Sequence, residues 1–135
     1  EDNAFLTLKS DSDVIATLHS SATQWKHKFL LEMAFENGYI NLDGILSSTR
    51  SYAPEAMIIG KREFEDVTFA MGKPKESITY YEYDKSWDLE LEEFIDAING
   101  RSTIKNGTSK DALEIMRLTD FIYKISQIKN TPNDE

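Results

Sequence analysis

The chain has 135 residues and a formal net charge of −9, with 40% hydrophobic residues and no cysteine. That length suits one domain removing about two-thirds of its unfolded surface from water, and seven Phe, six Tyr and two Trp are globular rather than disordered composition. The acidic balance and scattered Lys and Arg argue against nucleic-acid and membrane partners, while the lack of thiols excludes disulfides and thiolate metal sites and fits a reducing, cytoplasmic location.

No apolar run approaches the roughly 18 residues of a membrane span. The start, "EDNAFLTLKSDSD", has neither the basic region nor the apolar core of a signal peptide. The chain opens on Glu1 rather than Met and enters a strand-like run within four residues, so we expect a domain boundary cut from a longer protein.

About the first eighty residues alternate with period two, the spacing of half-buried strands. Phe5 to Lys9 and Val14 to Ala22 read as two strands joined across Asp11-Ser12-Asp13, with Val14, Ala16 and Leu18 on one face. In "KFLLEMAFENGYINLDG", Phe29, Leu31, Met33 and Phe35 fall on one face and Glu32 and Glu36 on the other. Asn37-Gly38 supplies the residues of a type I′ turn, and Ile40 and Leu42 continue the apolar face on the return strand. Further strands are expected at Ile45 to Ser51, Met57 to Lys61, Phe64 to Met71 and Ser77 to Asp84, separated by Pro54, Gly60 and "GKP". The total is about six to eight mostly antiparallel strands.

The period then changes. Trp87, Leu91, Phe94, Ile95 and Ile98 form one stripe of a 3.6-residue helix, with Glu90, Glu92, Glu93 and Asp96 off it. Ser86 is the expected N-cap, Asp88 suits the positive end of the dipole, and Gly100 suits the left-handed residue after the last turn. "TSKDALEIMRLTDFIYKISQI" predicts a second helix opened by a capping-box pair, Thr108 with Asp111. Its apolar residues fill two stripes, so it needs two surfaces to bury against: the sheet for one, and the first helix, a further domain or a second subunit for the other.

Strands first and helices last predict an α+β domain over residues 1–128, an open, mostly antiparallel sheet with two C-terminal helices packed on one face, followed by a polar tail at 129–135. Phe5, Ile15, Leu30 and Tyr39 make the opposite face too apolar for free solvation, so a partner surface is expected there.

The six glycines stand at 38, 44, 60, 72, 100 and 107, so no GxG exists and neither a dinucleotide nor a P-loop cradle can form. His19 and His27 are the only histidines, with no HxH, HExxH or GxSxG, which argues against a metal site or nucleophilic triad. His19 reads as a sheet-surface residue. Trp25, Lys26, His27 and Lys28 gather an aromatic ring, an imidazole and two cations at a strand entrance, suited either to a solvated strand end or to a pocket wall for a hydroxylated or anionic ligand. The acid run from Asp84 to Asp96 reads as a solvated helix face, and Tyr80, Tyr81, Tyr83 and Trp87 as packing rather than a sugar-stacking platform. These residues alone specify a folded module without a self-sufficient active site.

The segment "SWDLELEEFIDAINGRSTIKNGTSKDALEIMRLTDFIYKIS" resembles the C-terminal end of the glucose-fructose oxidoreductase, inositol dehydrogenase and MocA (Gfo/Idh/MocA) family of NAD(P)-dependent oxidoreductases. The elements that carry the resemblance are Glu92 to Ile98, Gly100 and Gly107, Asp111 to Leu113, and Ile122-Tyr123. The hairpin "WKHKFLLEMAFENGYINLDG" resembles the family's mid-sheet strand pair, so the likeness spans Trp25 to Ser126 with a poorly matching middle.

The resemblance implies a two-part enzyme. An N-terminal Rossmann domain would bind NAD or NADP and carry a Glu-Lys-Pro catalytic lysine, and an α+β domain with a large open sheet would supply the substrate wall and oligomer contacts. "GKP" at 72 to 74 lacks the Glu and stands too late in the sheet to be that motif. This chain would then be the C-terminal domain of an oxidoreductase acting on a sugar, cyclitol or related hydroxylated substrate, inactive alone and binding no cofactor itself. Its partners would be its own Rossmann domain, a sugar-like substrate and further copies through the open sheet face. Trp25, His27, Lys28 and Trp87 are the candidate substrate-binding residues, and no catalytic residue is expected within the chain. The alternative is a non-catalytic oligomerisation or ligand-binding sheet module.

Overall fold

A computed structural model describes residues 2–62 and 75–129. The strand expected from Phe64 to Met71 lies outside the described residues, as do residues 130–135 of the expected tail. The chain divides between Asp84 and Lys85 into two units, each described by itself.

In the first unit, β1 (Asn3–Lys9) and β2 (Ile15–Ser21) form an antiparallel ribbon with Phe5 opposite His19 and Leu6 opposite Leu18. The turn between them needs a positive φ, which Asp13 adopts at 62° as a short polar side chain can. The N–H of Asp13 donates to the Ser10 carbonyl at 3.1 Å, and Lys9 pairs with the Asp13 carboxylate at 2.7 Å. Leu6, Leu8, Ala16 and Leu18 share one side of the ribbon, as the alternation requires. On the other side the Phe5 ring stacks on His19, centroids 4.1 Å apart.

β3 (Leu30–Phe35), β4 (Gly38–Ile45), β5 (Tyr52–Lys61) and β6 (Glu76–Tyr81) make a second, four-stranded antiparallel sheet in sequence order. Its register aligns Leu31, Leu42 and Met57, then Met33, Ile40 and Ile59, so one face is a continuous apolar surface. The other face mixes polar and apolar residues in each row: Leu30, Asp43, Ala56 and Tyr80 in one, Glu32, Asn41, Ile58 and Ile78 in the next. Six strands in two open antiparallel sheets, followed by two helices, give the expected α+β class. The strands divide between two sheets because the ladder breaks across residues 22–29.

Two glycines set the local geometry of the larger sheet. Gly60 leaves room for the Tyr39 ring, which crosses it to donate its hydroxyl to the Glu76 Oε1 at 2.5 Å. Gly44, at φ +78°, is the bulge where the β4–β5 register slips, and any Cβ there would strike the carbonyl oxygens of Tyr52 and Pro54. The N–H of Gly44 donates instead to the Phe29 carbonyl at 2.9 Å.

The strand expected from Ile45 to Ser51 is a correction. Only Ile45 belongs to β4, and the chain then turns. The bulge ends the ladder, Arg50 takes φ 54°, and its N–H returns to the Ser47 carbonyl at 2.9 Å. The hydroxyls of Ser47, Thr49 and Ser51 bond to one another, the local competition by which Ser and Thr favour turns. The β3–β4 turn also differs by one residue. Phe35 pairs with Gly38, leaving Glu36 and Asn37 at the tip with neither at positive φ, so it is not type I′.

The second unit holds α1 (Ser86–Ile98) and α2 (Ser109–Lys129). Lys85, not Ser86, occupies the N-cap position of α1, without a side-chain bond. The C-terminus closes as expected with Gly100 at φ 69°: the Gly100 N–H donates to Ala97 O at 3.1 Å and the Arg101 N–H to Asp96 O at 2.9 Å, a Schellman motif. α2 opens with the expected capping box. The Asp111 N–H donates to the Thr108 hydroxyl oxygen at 3.2 Å, and the Thr108 N–H to the Asp111 carboxylate at 3.0 Å. Among the described residues α1 and α2 make no close backbone approach, and the α1 stripe is exposed along its length, as are Leu113, Ile115, Met116 and Phe121 of α2.

Candidate functional site

The connection from β2 to β3 runs beside the mixed face of the larger sheet. There it forms one rim of a cavity of about 840 Å³, within the range of small-molecule sites. The floor is apolar: Ala56, the one buried hydrophobic side chain among the described residues, with Ile58 and Ile78. Tyr52 and Tyr80 add aromatic surface, and Asp43 a carboxylate.

Two contacts place the rim. The Phe29 carbonyl is held by the Gly44 N–H at 2.9 Å, which fixes the end of the segment at the bulge. The His27 ring leans on Tyr52, centroids 5.0 Å apart and planes tilted by 49°, an ordinary aromatic geometry. Trp25, Lys26, His27 and Lys28 all line the cavity. Trp25 stands fully exposed at the mouth.

Three of the four expected substrate-binding residues, Trp25, His27 and Lys28, are thus brought to one cavity. Trp87 belongs to the second unit, where it lines a separate hollow of about 810 Å³ with Leu91, Phe94 and Ile104. Sequence reasoning passed over Asp43 and Tyr52, and read Tyr80 as packing. Their signal was the cross-strand register, since Asp43, Ala56 and Tyr80 lie in one row on the face opposite the apolar one.

Two ionisable groups elsewhere are perturbed. The hydrogen bond to Glu76, with desolvation and the charge of that carboxylate, raises the Tyr39 hydroxyl above its ordinary value. Glu93 is held below the usual carboxylate range, first by the Lys105 N–H and then by the Asn106 N–H, at 2.5 and 3.2 Å. Glu93 therefore ties the inter-helix loop back to α1 rather than facing water alone.

Gly44 and Gly60 are committed to the sheet, and at the α2 N-terminus the Thr108 N–H donates to the Asp111 carboxylate. Among the described residues no group of three His, Asp or Glu side chains is placed to hold a metal ion, and no helix is long and apolar enough to cross a membrane. No protein-family model, curated protein or solved structure matches the chain.

Proposed function

We propose that this chain is the substrate-side and assembly domain of an NAD(P)-dependent oxidoreductase of the Gfo/Idh/MocA type. It would act on a sugar, cyclitol or related hydroxylated substrate and work in the cytoplasm. One observation carries the reading: Trp25, His27 and Lys28, in the hairpin segment that resembles the family, line one cavity with Asp43, Tyr52 and Tyr80. An apolar floor, aromatic walls and a few converging polar groups suit a polyol, whose C–H faces lie on rings while its hydroxyls find donors and acceptors.

In this reading the chain binds and orients substrate. The cofactor NAD or NADP and the Glu-Lys-Pro lysine would belong to a Rossmann domain and the proton-relaying histidine to a helix just before the strands, all outside the chain, and copies assemble through the open sheet. The test is the native gene upstream of Glu1. A strand, GxGxxG and helix followed by Glu-Lys-Pro supports the reading, and a frame without them overturns it.

A second reading, a non-catalytic oligomerisation or ligand-binding module, is favoured by the extent of exposed apolar surface. Leu31 and Phe35 are 42% and 58% exposed on the apolar face of the larger sheet, a surface suited to covering by a partner.

A further inference from the structure

The lining of the sheet cavity carries a specific charge pattern. Lys26 and Lys28 are among its lining residues, with His27 between them in sequence and Asp43 as the one carboxylate. On a chain with a formal net charge of −9, a local excess of cations is contrary to the average surface. Four ion pairs form elsewhere among the described residues, Lys9 with Asp13, Arg101 with Asp96, Arg117 with Glu114 and Lys124 with Asp120. Neither Lys26 nor Lys28 has a carboxylate within salt-bridge distance among the described residues.

We propose that this cavity takes an anionic polyol, a hydroxylated chain or ring bearing a carboxylate or phosphate, with the acid group between Lys26 and Lys28 and the carbon skeleton over Ala56 and Tyr80. The inference rests on the reading of the cavity as a substrate wall and narrows its substrate class. The arrangement divides the ligand by chemistry. The two ammonium groups neutralise the acid without demanding the planar fork that Arg would supply, and so accept either carboxylate or phosphate. Asp43, whose carboxylate only accepts, takes a hydrogen bond from a substrate hydroxyl. The row Asp43, Ala56 and Tyr80 crosses three neighbouring strands, about 10 Å at the usual strand spacing, longer than an extended six-carbon chain alone and so with room for a terminal acid group.

Titration calorimetry of the chain with gluconate, a glucose monophosphate and sorbitol tests this. One or both anions bind at least about tenfold more tightly than sorbitol, and the stronger of the two names the acid group. Lys26→Gln with Lys28→Gln removes that preference, a loss of roughly tenfold for two exposed charge contacts, while Asp43→Asn weakens sorbitol and leaves the anion no weaker. Added salt erodes the anion's affinity alone. Equal binding of sorbitol and the anions, or a preference that survives loss of both lysines, overturns the proposal. Failure of the parent reading looks different. Anion binding by the chain without nicotinamide reduction by the whole gene product leaves the site and removes the oxidoreductase, whereas reduction with neutral polyols alone does the reverse.

Discussion

Gly44→Ala puts the geometry of the bulge to a quantitative test. Gly44 sits at φ +78°, where an L-residue costs about 1–2 kcal/mol. The new Cβ would also strike the carbonyl oxygens of Pro54 and Tyr52, which belong to backbone and cannot rotate away. Relief requires β4 and β5 to separate locally, at about 1–3 kcal/mol for forced overpacking, so the expected loss is about 2–5 kcal/mol. Gly100→Ala is the control: φ is +69° but nothing lies within 4 Å of an added Cβ, so only the conformational term of about 1 kcal/mol remains. Urea unfolding by far-UV circular dichroism and scanning calorimetry measure both. A loss of about 3 kcal/mol lowers Tm by roughly 12–24 °C for a unit of this size. Equal losses for the two variants would refute the steric account of the bulge.

Thr108→Ala should cost about 1 kcal/mol by removing one arm of the α2 capping box, and Asp111→Ala a similar amount. The double variant should lose less than the sum, which urea unfolding checks. Glu93 has a lowered value in the folded chain, so its contribution is complete above the ordinary carboxylate range and disappears as pH falls through the folded value. Acid titration of unfolding should show this dependence weakened in Glu93→Gln. Tyr39 has a raised value, so its contribution is complete below the ordinary tyrosine pKa and lost as pH rises through the folded value. Ultraviolet titration should find one tyrosine ionising late, and Glu76→Gln should return it toward the others.

Local rules read much of this fold from sequence, because the signals were short-range. The alternation of Leu31, Met33 and Phe35 against Ile40 and Leu42 became one sheet face. Thr108 and Asp111 formed their reciprocal bonds, and Gly100 took its left-handed position. Errors arose where a distant contact decides. The loop after Ile45 looks like a strand until the Gly44 bulge ends its ladder, and the acidic face of α1 looks uniformly solvated until the loop at Lys105 returns to Glu93. At the site, the cluster from Trp25 to Lys28 was visible as composition. Asp43 and Tyr52 were not, and Tyr80 read as packing, because only the pairing of three strands places them beside it.

The most direct measurement is steady-state reduction of NAD and NADP by the whole gene product with a panel of polyols and their acids, comparing wild type with the Lys26→Gln, Lys28→Gln double variant. The account predicts hydride transfer to one of the two cofactors, with the variant raising the substrate KM several-fold and leaving the cofactor KM unchanged. No reduction with any substrate, or a variant indistinguishable from wild type, would contradict it.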